Sequence, residues 1–90
     1  MSKIAEFTAP SVTIEFNLSV PQGSVFLDCQ LVNDEPILWF QYTPTGENTN
    51  PEEIRKFGFY PSEQENPETA EYLATVVFRR WGALHLFWLA

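Results

Sequence analysis

Cysteine and histidine are nearly missing from this chain, which carries only Cys29 and His85 among its 90 residues. One cysteine closes no intramolecular disulfide, and a lone free thiol fits a reducing, cytoplasmic setting. One Cys and one His fall short of the four nitrogen and sulfur ligands of a usual zinc site, so neither a metal nor a cofactor is expected. Cations are scarce as well: five Lys and Arg stand against twelve Asp and Glu, a formal charge of -7. Sequence-independent grip on duplex nucleic acid or anionic membrane relies on clustered Lys and Arg, so neither is an expected partner. No apolar run approaches the ~20 residues that span a bilayer, and residues 1–10 lack the apolar stretch of a signal peptide.

Catalytic signatures are absent too. There is no glycine-rich phosphate loop, nucleophile elbow or paired-carboxylate motif, so an enzyme is not expected. Cys29 and His85 could be combined as nucleophile and base, but Cys29 alternates with Leu27 and Leu31 in an apolar pattern that points to a buried, inert thiol. His85 lies between Leu84 and Leu86, which favours a packed or hydrogen-bonded ring.

What is present is apolar and aromatic: 44% hydrophobic and 16% aromatic residues, enough for a single core in a single domain covering residues 1–90. Alternation is strict over residues 11–20, with Val12, Ile14, Phe16, Leu18 and Val20 apolar and polar residues between them, which predicts a strand with one wet face. Val25, Leu27, Cys29 and Leu31 continue the two-residue period after a turn at Pro21-Gln22-Gly23, and Asn33-Asp34-Glu35-Pro36 joins that run to residues 37–42 as a hairpin. Residues 54–60, 72–80 and 83–90 are further extended runs, and residues 4–7 form a short edge strand. Gly58 marks a bulge or a close backbone approach. Residues 43–53 and 61–71 are polar loops, the second with a short helical turn near Pro67. The expected fold is all-β, an antiparallel meander of five to six strands forming a small barrel or sandwich, with at most short helical turns.

The run 72–80 is apolar on both faces, as a central strand is. The last run is more unusual: Leu84, Leu86 and Trp88 face one way, and His85, Phe87 and Leu89 the other, so neither face suits water. Such a strand is either central in its sheet or covered by a second copy. A homo-oligomer with Leu84, Leu86, Phe87 and Trp88 at its interface is therefore expected.

If neighbouring runs pair in simple succession, Ile54 falls near Phe78 and His85 opposite Phe78. Arg55, Lys56, Arg79 and Arg80 then meet at one rim with Tyr42 and Trp81, while Asp34, Glu35, Glu63, Glu65, Glu68 and Glu71 gather at the other end. Two roles suit that rim. The cations can pair with Glu47, Glu52 and Glu53 without further function. Alternatively, Arg55, Lys56, Arg79 and Arg80 bind an anionic small molecule, with Trp81 or Tyr42 stacking on a ring.

Val20-Pro21-Gln22-Gly23-Ser24, Asn33-Asp34-Glu35-Pro36-Ile37-Leu38-Trp39-Phe40, Tyr72-Leu73-Ala74-Thr75-Val76 and His85-Leu86-Phe87 together resemble a family of short phage and prophage proteins of unassigned function. That family shows a proline-glycine turn, a pxLW strand, a Y-[IL]-[GA]-T strand and a closing HxF-like strand. The chain departs from it where residues 61–71 are acidic instead of glycine-rich. The resemblance implies a phage accessory protein acting in the host cytoplasm, where such proteins often counter host defence. Three roles follow: capture of a cyclic-nucleotide-like anion in a homo-oligomer, blocking of a host defence protein through the acidic end, or virion assembly through the apolar last strand.

Overall fold

The structure, a computed structural model, describes residues 1–46 and 50–90. Among these residues the chain is strand and turn, with no helix long and apolar enough to cross a membrane. Seven strands form, because each apolar run has a two-residue period and ends in turn chemistry. They are β1 (Lys3–Thr8), β2 (Phe16–Pro21), β3 (Val25–Val32), β4 (Glu35–Tyr42), β5 (Glu52–Pro61), β6 (Glu71–Phe78) and β7 (Gly82–Trp88). The six runs read from the sequence are all present, and the short N-terminal run adds a seventh strand. The 11–20 alternation enters the ladder only from Phe16 onward.

The strands make two antiparallel sheets, ordered β1-β4-β3 and β2-β5-β7-β6, and not a closed barrel. The shortest dimension of the molecule, 18 Å, suits two layers stacked about 10 Å apart. Along one side β3 of the first sheet lies against β6 of the second. Phe40, Phe57, Leu38, Leu86 and Val20 are the largest fully buried side chains, one or more from each of β2, β4, β5 and β7. Within the first sheet Phe40 meets Phe7 and Phe26 edge-on at 5.8 and 5.7 Å, and across the layers it meets Phe57 at 6.0 Å.

Simple succession fails at one point, and that point controls the rest. Only β3–β4 and β6–β7 are hairpins. β7 inserts between β5 and β6, pairing Phe57 with Trp88 on one side and Phe78 with Gly82 on the other. The strand with two apolar faces thus takes a central position, the first of the two ways of covering it. β6, expected to be central, is the edge of its sheet.

Because β5 and β6 both run antiparallel to β7, they run parallel to each other, and residues 62–70 must return the chain to the far end of the sheet. His85 ties this crossover down. Its Nε2 is 2.9 Å from Ser62 Oγ, its Nδ1 is 2.8 Å from Thr75 Oγ1, and Thr75 meets the Tyr72 hydroxyl at 2.7 Å. Phe87 beside it packs edge-on to Tyr60 and Tyr72, both at 5.8 Å. The outer face of β7 is half-buried by these neighbours.

Two bulges change which side chains face inward. In β3 the register shifts between Phe26 and Asp28, so Leu27 is the extra residue. Phe26 and Cys29 point to the core, whereas Val25 and Leu27, expected there with Cys29, are 60% and 44% exposed. In β6 the same happens at Leu73. Gly58 is a close approach, not a bulge: a Cβ there would lie 3.1 Å from the Tyr60 ring and 3.3 Å from Leu89.

The His85 bridge carries a prediction. In His85→Ala the crossover loses its anchor to β7. Amides of residues 62–70 should then exchange hydrogen about fivefold faster, a net hydrogen bond being worth roughly 1 kcal/mol, while the far-ultraviolet spectrum stays that of the native sheets. Unchanged exchange in this segment would show that the bridge does not hold it.

Candidate functional site

The alternation of β5 sends Arg55, Phe57 and Phe59 inward and Lys56 outward, so two adjacent cations lie on opposite faces of one sheet. Arg55 occupies a core position at only 6% exposure. Its Nε–H donates to Glu53 Oε2 at 3.1 Å and its Nη2 to the Ser24 carbonyl at 2.7 Å. The guanidinium carbon stands 4.6 Å from the Trp88 ring centre and 6.0 Å from that of Phe40. An ionised group this deep is tolerable only with such partners. Glu53 also accepts from the Gly23 amide at 2.8 Å. The Arg55 and Gly23 hydrogen bonds, in that order, hold the Glu53 carboxyl below its ordinary value.

Lys56 is exposed, opposite Asn17, and reaches Glu15 at 4.0 Å. Tyr60 donates to the same Glu15 at 3.1 Å, and burial together with that carboxylate raises its phenol. Tyr42 ends β4 opposite Lys3, in the other sheet, one residue beyond the Gln41–Val25 pair.

Arg79, Arg80 and Trp81 are far from all of these. They form the turn between β6 and β7, at the Gly82 end of β7, whereas Arg55 lies beyond the Trp88 end. Six residues of strand separate the two ends, about 20 Å at roughly 3.3 Å each. The expected single rim of Arg55, Lys56, Arg79 and Arg80 is therefore corrected. Arg55 pairs with Leu18 of β2 and not with the neighbourhood of Phe78, because β7 occupies the place beside both β5 and β6. His85 faces Thr75 and Tyr60, again not Phe78. The expected division into a basic and an acidic end disappears with it, since Asp34 shares a cavity with Arg79 and Arg80, and Glu71 shares one with Arg55.

Three of the six expected ligand residues do come together. Arg79, Arg80 and Trp81 line a depression of about 410 Å³ with Leu31, Asp34 and Phe78. Trp81 is 47% exposed. Arg80 lies over its ring at 5.5 Å, and Phe78 meets the ring edge-on at 5.8 Å. Among the described residues neither Arg79 nor Arg80 forms an ion pair, and Glu52 and Glu53 do not serve them. Glu47, the third expected partner, lies outside the described residues. Asp34 sits in the β3–β4 turn at φ 66°, a left-handed conformation that Asp tolerates, and is part of the lining of this depression.

Of the expected interface residues, Leu84 and Leu86 are buried in the chain's own core, at 6% and 0% exposure. Phe87 and Trp88 are half-buried, the first under Tyr60 and Tyr72 and the second over Arg55. Cys29 is buried in the first sheet and His85 lies on the outer face of the second, so they form no catalytic pair. Among the described residues no three His, Cys, Asp or Glu side chains gather as metal ligands. The sequence reading put Asp34 at the acidic end and Trp88 at an oligomer interface, whereas the structure sets Asp34 beside Arg79 and Arg80 and Trp88 over Arg55. The inward direction of Arg55 was available in the sequence, since it has the same parity as Phe57 and Phe59.

No protein-family model, curated protein or solved structure matches the chain, so its function is argued from this geometry.

Two outcomes are expected. Burial, aided by Asp28, pushes the Cys29 thiol up to about 12, so a thiol-specific disulfide reagent at neutral pH should leave the native protein untouched and titrate one thiol after denaturation. Rapid native reaction would contradict the burial. Glu53 has a lowered folded value, so its ionised form contributes stability above the ordinary 4.5 and loses it as pH falls through the lowered value. Melting temperatures of the wild type and Glu53→Gln should differ at pH 7 and converge at lower pH. A gap that widens on acidification would refute the linkage.

Proposed function

We propose that this is a non-catalytic binding protein that captures an anionic, nucleotide-like ligand at the Arg79, Arg80 and Trp81 turn. The observation that carries this reading is a pair of adjacent guanidiniums on a protein of net charge -7, with no carboxylate in ion-pair contact among the described residues. Unpaired like charges side by side are unfavourable until an anion joins them. Their forked donors match phosphate oxygens, and the half-exposed Trp81 ring accommodates a flat group on its face. The depression, at about 410 Å³, falls in the size range of small-molecule sites. Asp34, also in the lining, carries a carboxylate, a group suited to a base that offers two N–H groups, as guanine does.

The phage setting and the counter-defence role are supported by the sequence resemblance described above. A second reading, the blocking of a basic partner protein, is favoured by the crossover 62–70, which presents Glu63, Glu65 and Glu68 to solvent with no ion-pair partner among the described residues.

Thermal protection by guanosine 3′,5′-cyclic monophosphate tests the first reading. The wild type should be stabilised, and more so than by the adenosine analogue. Arg79→Ala and Arg80→Ala should each fold normally and bind at least tenfold more weakly, a charge-assisted hydrogen bond being worth about 1.5–3 kcal/mol. Equal protection of wild type and both variants would remove the proposal. Salt-sensitive capture of a basic protein that is lost when Glu63, Glu65 and Glu68 are neutralised would move the function to the crossover.

A further inference from the structure

The outer face of the first sheet carries a row of side chains that serves neither the core nor the Arg79 and Arg80 turn. Trp39, in the middle of β4, is paired with Glu6 of β1 on one side and with Asp28 of β3 on the other. Directly paired residues of antiparallel strands share a face, with Cβ atoms about 4.5–5.5 Å apart, so the half-buried indole lies between two carboxylates. The β3 bulge produces this row. An unbroken register from Phe26 and Phe40 would set Leu27 opposite Trp39, and the extra residue sets Asp28 there instead.

Both carboxylates are exposed, and among the described residues neither forms an ion pair. The rows two residues away along β4, Ile4-Gln41-Val25 and Thr8-Ile37-Gln30, bring no cation. Two like charges beside one ring, on a chain of net charge -7, are unfavourable until a cation joins them. The groups are also held in place. The Trp39 indole N–H donates to Glu6 Oε1 at 3.0 Å, while Asp28 Oδ1 accepts from the Cys29 amide at 2.8 Å and Oδ2 from Gln30 Nε2 at 2.7 Å. A carboxylate has about four acceptor sites, so these bonds leave each with capacity for more.

Ile4, Leu27, Asp28, Gln30 and Trp39 line an open depression of about 370 Å³, and Ile4 and Leu27 are 63% and 44% exposed. Negative charge, an aromatic ring and aliphatic surface therefore lie together. A guanidinium answers all three, because it stacks on an aromatic face, its forked donors match carboxylate oxygens, and its methylene stem covers apolar side chains. A free small cation would leave Ile4 and Leu27 in water, whereas a polypeptide brings apolar neighbours to cover them. We propose that this face is a docking surface for a partner protein that presents an arginine between apolar residues, with the guanidinium on Trp39 between Glu6 and Asp28 and the neighbours on Ile4 and Leu27. The surface shares no residue with the Arg79 and Arg80 depression, so either can fail without the other.

Nuclear magnetic resonance titration of the isotope-labelled protein tests it, with acetyl-Leu-Arg-Leu-amide and the counterpart carrying citrulline, the neutral isostere of arginine. The arginine peptide should shift the Trp39 indole N–H saturably and leave those of Trp81 and Trp88 in place. The citrulline peptide should bind about tenfold more weakly, having lost both ion contacts and the attraction of the ring for charge. The double variant Glu6→Gln with Asp28→Asn keeps the shape and an acceptor oxygen of each side chain. It should retain the native spectrum and bind the arginine peptide about tenfold more weakly. Arg79→Ala should leave this binding unchanged, as should neutralisation of Glu63, Glu65 and Glu68. No shift of the Trp39 resonance, equal binding of the two peptides, or binding that survives the double variant would each overturn the surface. Loss of binding on neutralising the crossover carboxylates would overturn it in favour of that segment, and butylguanidinium bound as tightly as the peptide would overturn the assignment to a partner protein.

Discussion

β7 has no side that suits water, and the molecule is arranged around covering it. Its inner face, Leu84, Leu86 and Trp88, enters the core, while its outer face, His85 and Phe87, lies under Tyr60 and Tyr72, with Ser62 bonded to His85. Both edges are hydrogen-bonded, to β5 and to β6. An apolar strand left at an edge would offer unpaired backbone groups to any similar chain. Central placement removes that hazard within one chain, and it obliges β5 and β6 to run parallel on either side, joined by a segment that must travel the length of the sheet.

The placement of the cations follows from that insertion. Arg55 belongs to β5 and Arg79 follows the end of β6, strands successive in the sequence but separated in the sheet, so the two lie at opposite ends of β7. Each then acquires its own surroundings. Arg55 is enclosed, paired with Glu53 and covered by the Trp88 indole. Arg79 and Arg80 project from a turn into water beside Trp81 and have no carboxylate in contact among the described residues. Burial gives the first its partners within the fold, and exposure leaves the second pair accessible from solvent.

Bulges account for a further divergence between pattern and structure. A strict two-residue period places Val25 with Cys29 and Leu31, but the extra residue at Leu27 inverts the phase within β3, so Phe26 joins Phe40 in the core and Val25 turns outward. Nothing in the composition of Val25-Phe26-Leu27-Asp28-Cys29 announces this, since both phases are apolar until Asp28. Through the inversion Phe26 becomes a wall of the cavity that Arg55 also lines. The residues Ser24 and Asp34 are similarly silent in sequence: one contributes only a carbonyl, the other a turn carboxyl.

Local pattern by itself determined that the chain is all-β, where its strands begin and end to within a few residues, that the β3–β4 and β6–β7 pairs are hairpins, and that Cys29 is buried. These depend on side-chain period, turn residues and neighbours close along the chain. Which strand stands between β5 and β6, which arginines meet, and which apolar residues change faces at a bulge were decided only in the tertiary structure. Those outcomes depend on how two sheets share one core, and the free energy of burying β7 on both faces outweighs the convenience of pairing strands in the order in which they occur.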